Sequence, residues 1–209
     1  MSNPRILWSN DVNIDAYKEG YIAPKCVIGL DRDGVINVDR GEYTWKKEDF
    51  EPIEGSIDAV ATLRRLGHKI VVITNQGGIG KGLYTQEDVD KLHEHMLSLF
   101  GEAGCPSIDG VYYSATSLRS DHFAKPNVGM FEQVQSDMKH IKFKQGYYVG
   151  DKISDLKAAY KIGARPVLVR TGYGEETIKE LNKFSNQKIK KKTIIFDNLA
   201  AFADWMSNK

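Results

Sequence analysis

The sequence predicts a doubly wound, Rossmann-like α/β fold: a parallel sheet with helices on both faces and no large cap domain. Three observations predict it. Apolar runs of strand length alternate with helix-period stripes along most of the chain, an order that requires parallel pairing through right-handed crossovers. The strand runs are apolar throughout rather than alternating, as in strands covered on both faces. With 209 residues and 41% hydrophobic content, the chain can bury the core of one domain.

The elements follow in order. Residues 1–25 are polar and read as an N-terminal extension to a single domain over 26–209. "CVIGL" (26–30) is the first strand of that domain, and Ala59, Val60, Leu63 and Leu66 form a helical stripe closed by Gly67. "KIVVIT" (69–74) is the next strand. Val89, Leu92, Met96 and Leu99 then line a second helix, which Thr85 and Asp88 open as a capping pair. "GVYYS" (110–114) precedes a third stripe of Phe131, Val134, Met138 and Ile141. After "GYYVG" (146–150), a fourth stripe of Leu156, Ala159 and Tyr160 ends at Gly163, and "PVLVR" (166–170) and "TIIF" (193–196) complete the strands.

Composition excludes several function classes. Lys plus Arg number 29 against 28 Asp plus Glu, so no global basic field recruits nucleic acid or a membrane surface. The one basic run, "KIKKK" (188–192), reads as a solvated end before a strand. Cys26 and Cys105 stand far apart in no metal or redox spacing, as free thiols do in a reducing compartment. No run approaches the length of a membrane span. A cytoplasmic monomer without nucleic-acid or membrane partners is expected.

In such a sheet ligands collect outside the carboxyl ends of the strands. Polar residues gather at three of those ends: Asp31, Asp33 and Gly34; Thr74, Asn75 and the glycines after them; and Asp151, Lys152 and Asp155. Asp31 and Asp33, two apart in extended chain, project to the same side. Converging buried carboxylates repel one another unless a cation neutralises them. Oxygen donors without Cys or His point to a hard ion, Mg²⁺, which accepts phosphate oxygens and makes a phosphate ester the natural substrate. Gly34 lets the backbone approach closely, and Lys125, before Pro126 at an expected helix start, adds a positive charge. His93 and His95, two apart on a helix, face different ways and form no metal pair. Tyr43 and Trp45 are expected to pack a loop.

"DRDGVIN", "VITNQGGIGKG", "KPNVGM" and "VGDKISD" resemble, in order, the four motifs of the haloacid dehalogenase superfamily of aspartyl-phosphate phosphatases. Over residues 26–172 the chain is most similar to the D-glycero-D-manno-heptose 1,7-bisphosphate phosphatases and their histidinol-phosphatase relatives, with "INVDRGEYTWKKEDFEPIEGS" and "VLVRTGYG" resembling the heptose group. The resemblance implies a Mg²⁺-dependent phosphatase acting on a sugar phosphate, the heptose 7-phosphate foremost. It implies Asp31 as nucleophile and Asp33 as the acid that protonates the leaving oxygen and later activates water. It also implies Thr74 and Lys125 on the phosphoryl oxygens, and a metal held by Asp31, the Asp33 carbonyl and Asp151. Asp155 and Lys152 support that shell, and Asn75 and Lys81 are candidate substrate contacts.

One departure stands out. The zinc loop that many heptose bisphosphate phosphatases carry is replaced by "YYSATSLRSDHFAKP", which has no cysteine and one histidine, His122, and Ala124 stands where an arginine precedes the lysine. No zinc is expected. Histidinol phosphate or a polynucleotide 3′-phosphate is the alternative substrate, and a catalytically silent sugar-phosphate-binding protein the alternative class.

Overall fold

The computed structural model describes residues 5–7, 26–105 and 107–209. The N-terminal extension expected over 1–25 therefore lies outside the described residues, except for strand β1 (Arg5–Leu7). Each apolar run becomes a strand: β2 (Val27–Leu30), β3 (Lys69–Asn75), β4 (Gly110–Ser114), β5 (Tyr147–Gly150), β6 (Arg165–Val169) and β7 (Ile194–Phe196). The sheet order is β1-β4-β3-β2-β5-β6-β7, and every pair is parallel except β1 with β4. That antiparallel edge was not foreseen, because three paired residues leave no periodic signal in a polar segment.

Between the strands lie α1 (Ser56–Arg65), the single turn α2 (Gly77–Gly80), α3 (Gln86–Glu102), α4 (Gly129–Asp137), α5 (Ile153–Ile162), α6 (Gly174–Leu181), α7 (Gln187–Lys190) and α8 (Leu199–Ser207). Thr85 and Asp88 form the expected capping box at α3. Strand alternation divides the core. Ile28, Leu30, Ile70 and Val72 meet Val60 and Leu63 of α1, Leu92 and Met96 of α3 and Phe202 of α8 on one face. Val27, Val71, Ile73 and Tyr148 meet Phe131 and Val134 of α4 and Ala158 and Ala159 of α5 on the other.

Three expectations need correction. α4 stops at Asp137, so Met138 and Ile141 are buried from the turn that follows rather than from the helix. Tyr160 is 40% exposed, because the helical period after Leu156 gives the buried places to Ala158 and Ala159. Lys125 does not sit at a helix start: α4 begins at Gly129, so the helix-terminus part of its role falls away.

The chain runs outward from β2 through β3 to β4, then returns to place β5 on β2's other side. A crevice opens where the order reverses, beyond the carboxyl ends of β2 and β5.

Candidate active site

A cavity of about 620 Å³ occupies that crevice and brings Asp31, Asp33, Thr74, Asn75, Lys81, Lys125, Lys152 and Asp155 to one wall or floor. Asp31 continues β2 by one residue, its amide donating to the Val149 carbonyl at 2.9 Å. Lys125, in the connection after β4, is bonded through its backbone to Asn75 at the end of β3 and is nearly fully buried. Its Nζ lies 3.0 Å from Asp31 Oδ1 and 2.7 Å from Asp155 Oδ1, and it donates to Tyr148 Oη at 2.8 Å and to the Ile73 carbonyl at 3.0 Å. Tyr148 Oη in turn donates to the same carbonyl at 2.6 Å. The ammonium is fixed by four oxygens and reaches the cavity without freedom to swing.

Asp31, Asp151 and Asp155 each place a carboxylate oxygen within 4.8 Å of the others. Asp151 is fully buried; Tyr173 N donates to its Oδ2 at 2.9 Å, while Oδ1 has no partner among the described residues. Burial pushes the Asp31 carboxyl up to about 6, Asp155 and Asp33 adding to the effect while Lys125 and Lys152 oppose it. Burial, with Asp155 and Asp31, likewise pushes Asp151 well above the ordinary range against Lys152. One lysine does not neutralise three buried carboxylates, and an all-oxygen set with an unsatisfied carboxylate oxygen fits a small hard cation.

Glycine is required behind this cluster. A Cβ on Gly34 (φ +83°) would sit 2.2 Å from Asp151 Oδ2, and one on Gly172 (φ +57°) equally close. Gly34 therefore packs behind Asp151 rather than among the residues that line the cavity, so its close approach is to the carboxylate, not to a phosphate.

Asp33 has a different environment. Arg32 Nη2 donates to both its oxygens at 2.9 and 3.0 Å and Nε to Oδ1 at 3.2 Å, while Asn37 Nδ2 and Gln76 Nε2 add bonds of 3.0 and 3.1 Å. Burial pushes Asp33 upward, but the Arg32 charge and these hydrogen bonds outweigh it and hold the carboxyl below its usual range. Two aspartates two residues apart are thus driven in opposite directions, Asp31 upward by burial and Asp33 downward by its paired guanidinium.

The remaining expected residues divide. Thr74 is buried at the end of β3, its Oγ1 accepting from Gln76 Nε2 at 3.1 Å. Asn75 is committed to the Lys125 backbone, accepting from its amide at 3.0 Å and donating to its carbonyl at 3.1 Å, so it shapes the turn that presents Lys125. Asp155 accepts from the Lys152 amide at 2.9 Å, whereas the Lys152 side chain turns away to Asp39 Oδ2 at 2.8 Å. Lys81 lies at the mouth over the Tyr43 ring, 5.4 Å from its centroid. Tyr43 itself lines the cavity, so it does more than pack a loop; Trp45 stacks on Tyr84 at 5.9 Å. His122 lies in the loop before Lys125 and pairs with Glu132 at 3.0 Å.

Sequence reading missed Arg32, Gln76 and Tyr148. An arginine between two aspartates reads as a solvated charge, yet Arg32 is 0% exposed. The available signal was strand alternation, which sends Arg32 away from Asp31's side and into the protein, where a guanidinium must be paired.

The family described as polynucleotide kinase 3 phosphatase matches residues 26–165. A D-glycero-beta-D-manno-heptose-1,7-bisphosphate 7-phosphatase of Pseudomonas putida is 37% identical over 174 residues, covering 83% of this chain and 95% of the relative. One from Escherichia coli is 40% identical over 155 residues, covering 69% and 80%. Among solved structures, a D,D-heptose 1,7-bisphosphate phosphatase from B. bronchiseptica, complexed with magnesium and phosphate, has a TM-score of 0.79 at 27% identity and covers 88% of this chain and 98% of its own.

Proposed function

This chain belongs to the polynucleotide kinase 3 phosphatase family, within the haloacid dehalogenase-type phosphatases, and from that premise we propose that it removes the 7-phosphate of D-glycero-D-manno-heptose 1,7-bisphosphate with the help of Mg²⁺. The observation that carries the chemistry is Asp31 lining the cavity, held 3.0 Å from the buried Lys125 beside an Asp151 oxygen with no hydrogen-bond partner among the described residues. The choice of sugar is supported by the relatives at 37% and 40% identity and by a cavity of about 620 Å³. Its mouth carries Lys81, Arg119 and Lys157, a place for a second phosphate.

Asp31 attacks phosphorus, forming an aspartyl-phosphate as the bond to the sugar oxygen breaks. Asp33, taking up a proton as the phosphate dianion binds beside it, gives that proton to the sugar oxygen and then, as carboxylate, takes one from the water that hydrolyses the intermediate. Lys125 and Thr74 hold the non-bridging oxygens while charge develops on them. Asp31, Asp151 and the Asp33 carbonyl would hold Mg²⁺, which supplies positive charge for the phosphoryl group and relieves the repulsion within the cluster. Asn75 fixes the Lys125 turn, and Asp155 fixes both Lys125 and the start of α5.

Phosphate release measured with Mg²⁺ tests the substrate. The heptose bisphosphate is expected to exceed histidinol phosphate and a 3′-phosphorylated oligonucleotide by at least about tenfold in kcat/KM. Preference for the oligonucleotide would favour the activity named in the family's description, against which a net charge of +1 speaks. Arg119→Ala is expected to lower kcat/KM for the bisphosphate by about tenfold, the loss of one charge-assisted bond. The same variant should leave a heptose 7-monophosphate almost unaffected.

A further inference from the structure

We propose that Arg32, anchored by His93, is a positioning residue that fixes the Asp33 carboxylate for the water-activating half of the reaction; the proposal rests on the aspartyl-phosphate reading above. Arg32 is fully buried and spends its donors on a closed set of acceptors. Besides Asp33, these are the Thr44 carbonyl at 2.7 Å, Gln76 Oε1 at 3.2 Å and His93 Nε2 at 3.2 Å. Tyr84 Oη donates to the same Gln76 oxygen at 3.2 Å, which fixes the amide that also reaches Asp33. A guanidinium taken out of water costs several kcal/mol unless every arm is engaged. These bonds supply that engagement from the segments just after β2 and β3, from α3 and from the loop through Thr44.

His93 shows what the arrangement is for. Arginine can only donate, so His93 Nε2 must accept and its proton must sit on Nδ1, which is buried without a hydrogen-bond partner among the described residues. A buried donor left unsatisfied is destabilising. A leucine on this face of α3 would avoid that cost, and what the imidazole contributes in return is an acceptor for Arg32.

The result is an Asp33 carboxylate that receives from Arg32, Asn37 and Gln76 together. With both of its oxygens held by these donors, the carboxylate keeps one orientation at the cavity wall. In the step it serves, the water oxygen bonds to phosphorus as the bond from phosphorus to the Asp31 oxygen breaks. The water proton passes to Asp33, and inorganic phosphate leaves with the Asp31 carboxylate restored.

p-Nitrophenyl phosphate with Mg²⁺ isolates this half-reaction, because nitrophenolate departs without needing a proton from Asp33. Arg32→Gln is expected to lower steady turnover by roughly 10²-fold. Its first-turnover burst of nitrophenolate should stay within about threefold of wild type, and acid-quenched phosphoenzyme should accumulate. His93→Leu is expected to show the same split, with His93→Gln, which retains an acceptor, turning over several-fold faster than His93→Leu. That pair carries the test if Arg32→Gln does not fold. Burst and steady rates falling in proportion, or both remaining at wild-type values, would overturn the proposal. A wild-type enzyme that forms no phosphoenzyme, or an Asp31→Asn variant that does, would instead overturn the aspartyl-phosphate reading beneath it.

Discussion

Asp31→Asn is expected to lower kcat by about 10⁴-fold or more while raising the melting temperature of the metal-free protein. An amide cannot form the aspartyl-phosphate, which accounts for the first effect. The second follows from the cluster: removing one of three buried carboxylates within 4.8 Å reduces repulsion that Lys125 alone does not cancel. The sign with pH is fixed. Asp31 is raised from 3.8 to about 6, so relative to the unfolded chain its protonated form favours folding fully below pH 3.8. That contribution is lost as pH rises through about 6. The wild-type metal-free protein should therefore lose stability from this group across that window, and Asp31→Asn should flatten the loss. Thermal melts at pH 4, 5, 6 and 7, with Mg²⁺ added in a parallel series, read both effects; Mg²⁺ should raise the wild-type melting temperature most at pH 7. Equal melting temperatures for the variant and wild type throughout would mean that repulsion within the carboxylate cluster does not limit stability.

Lys125→Met is expected to be the most destabilising single change at the site, by about 3–5 kcal/mol at neutral pH without metal. Methionine fills the space but removes the ammonium that pairs directly with Asp31 and Asp155, leaving the Ile73 carbonyl and Tyr148 Oη only their bond to each other. Because Asp31 and Asp151 are both raised, acidification protonates them and should shrink the deficit at pH 5, and Mg²⁺ should recover part of it at pH 7. In Mg²⁺, kcat/KM is expected to fall by about 10²–10³-fold, because one fixed donor to the phosphoryl oxygens is gone. Denaturant melts with and without metal separate the stability effect from the kinetic one.

The two predictions act on residues that the sequence brought forward for different reasons. Asp31 and Asp33 stood out because two acids and a glycine closed an apolar run, a costly arrangement unless chemistry required it. Asp151 and Asp155 repeated the pattern after another strand, and the order of strands and helices placed both at one rim of a parallel sheet. Lys125 was legible as a positive charge near that rim, but its stated place at a helix start was wrong. A β4-to-α4 connection of 14 residues, from Ser114 to Gly129, has no periodicity from which its path could be read.

The sequence by itself determined the six parallel strands, most of the buried helix positions, the rim where polar residues collect and the identity of the acids there. Each of these depends on local chain geometry, on periods of two and 3.6 residues, and on turns that only certain residues make. Tertiary structure alone decided which acid is raised and which is lowered. That outcome depends on Lys125 arriving from 94 positions beyond Asp31 and on His93 and Gln76 meeting Arg32 beyond the ends of the central strands. Charge interactions at 3 Å in a buried place follow distance in space, and separation along the chain carries no record of it.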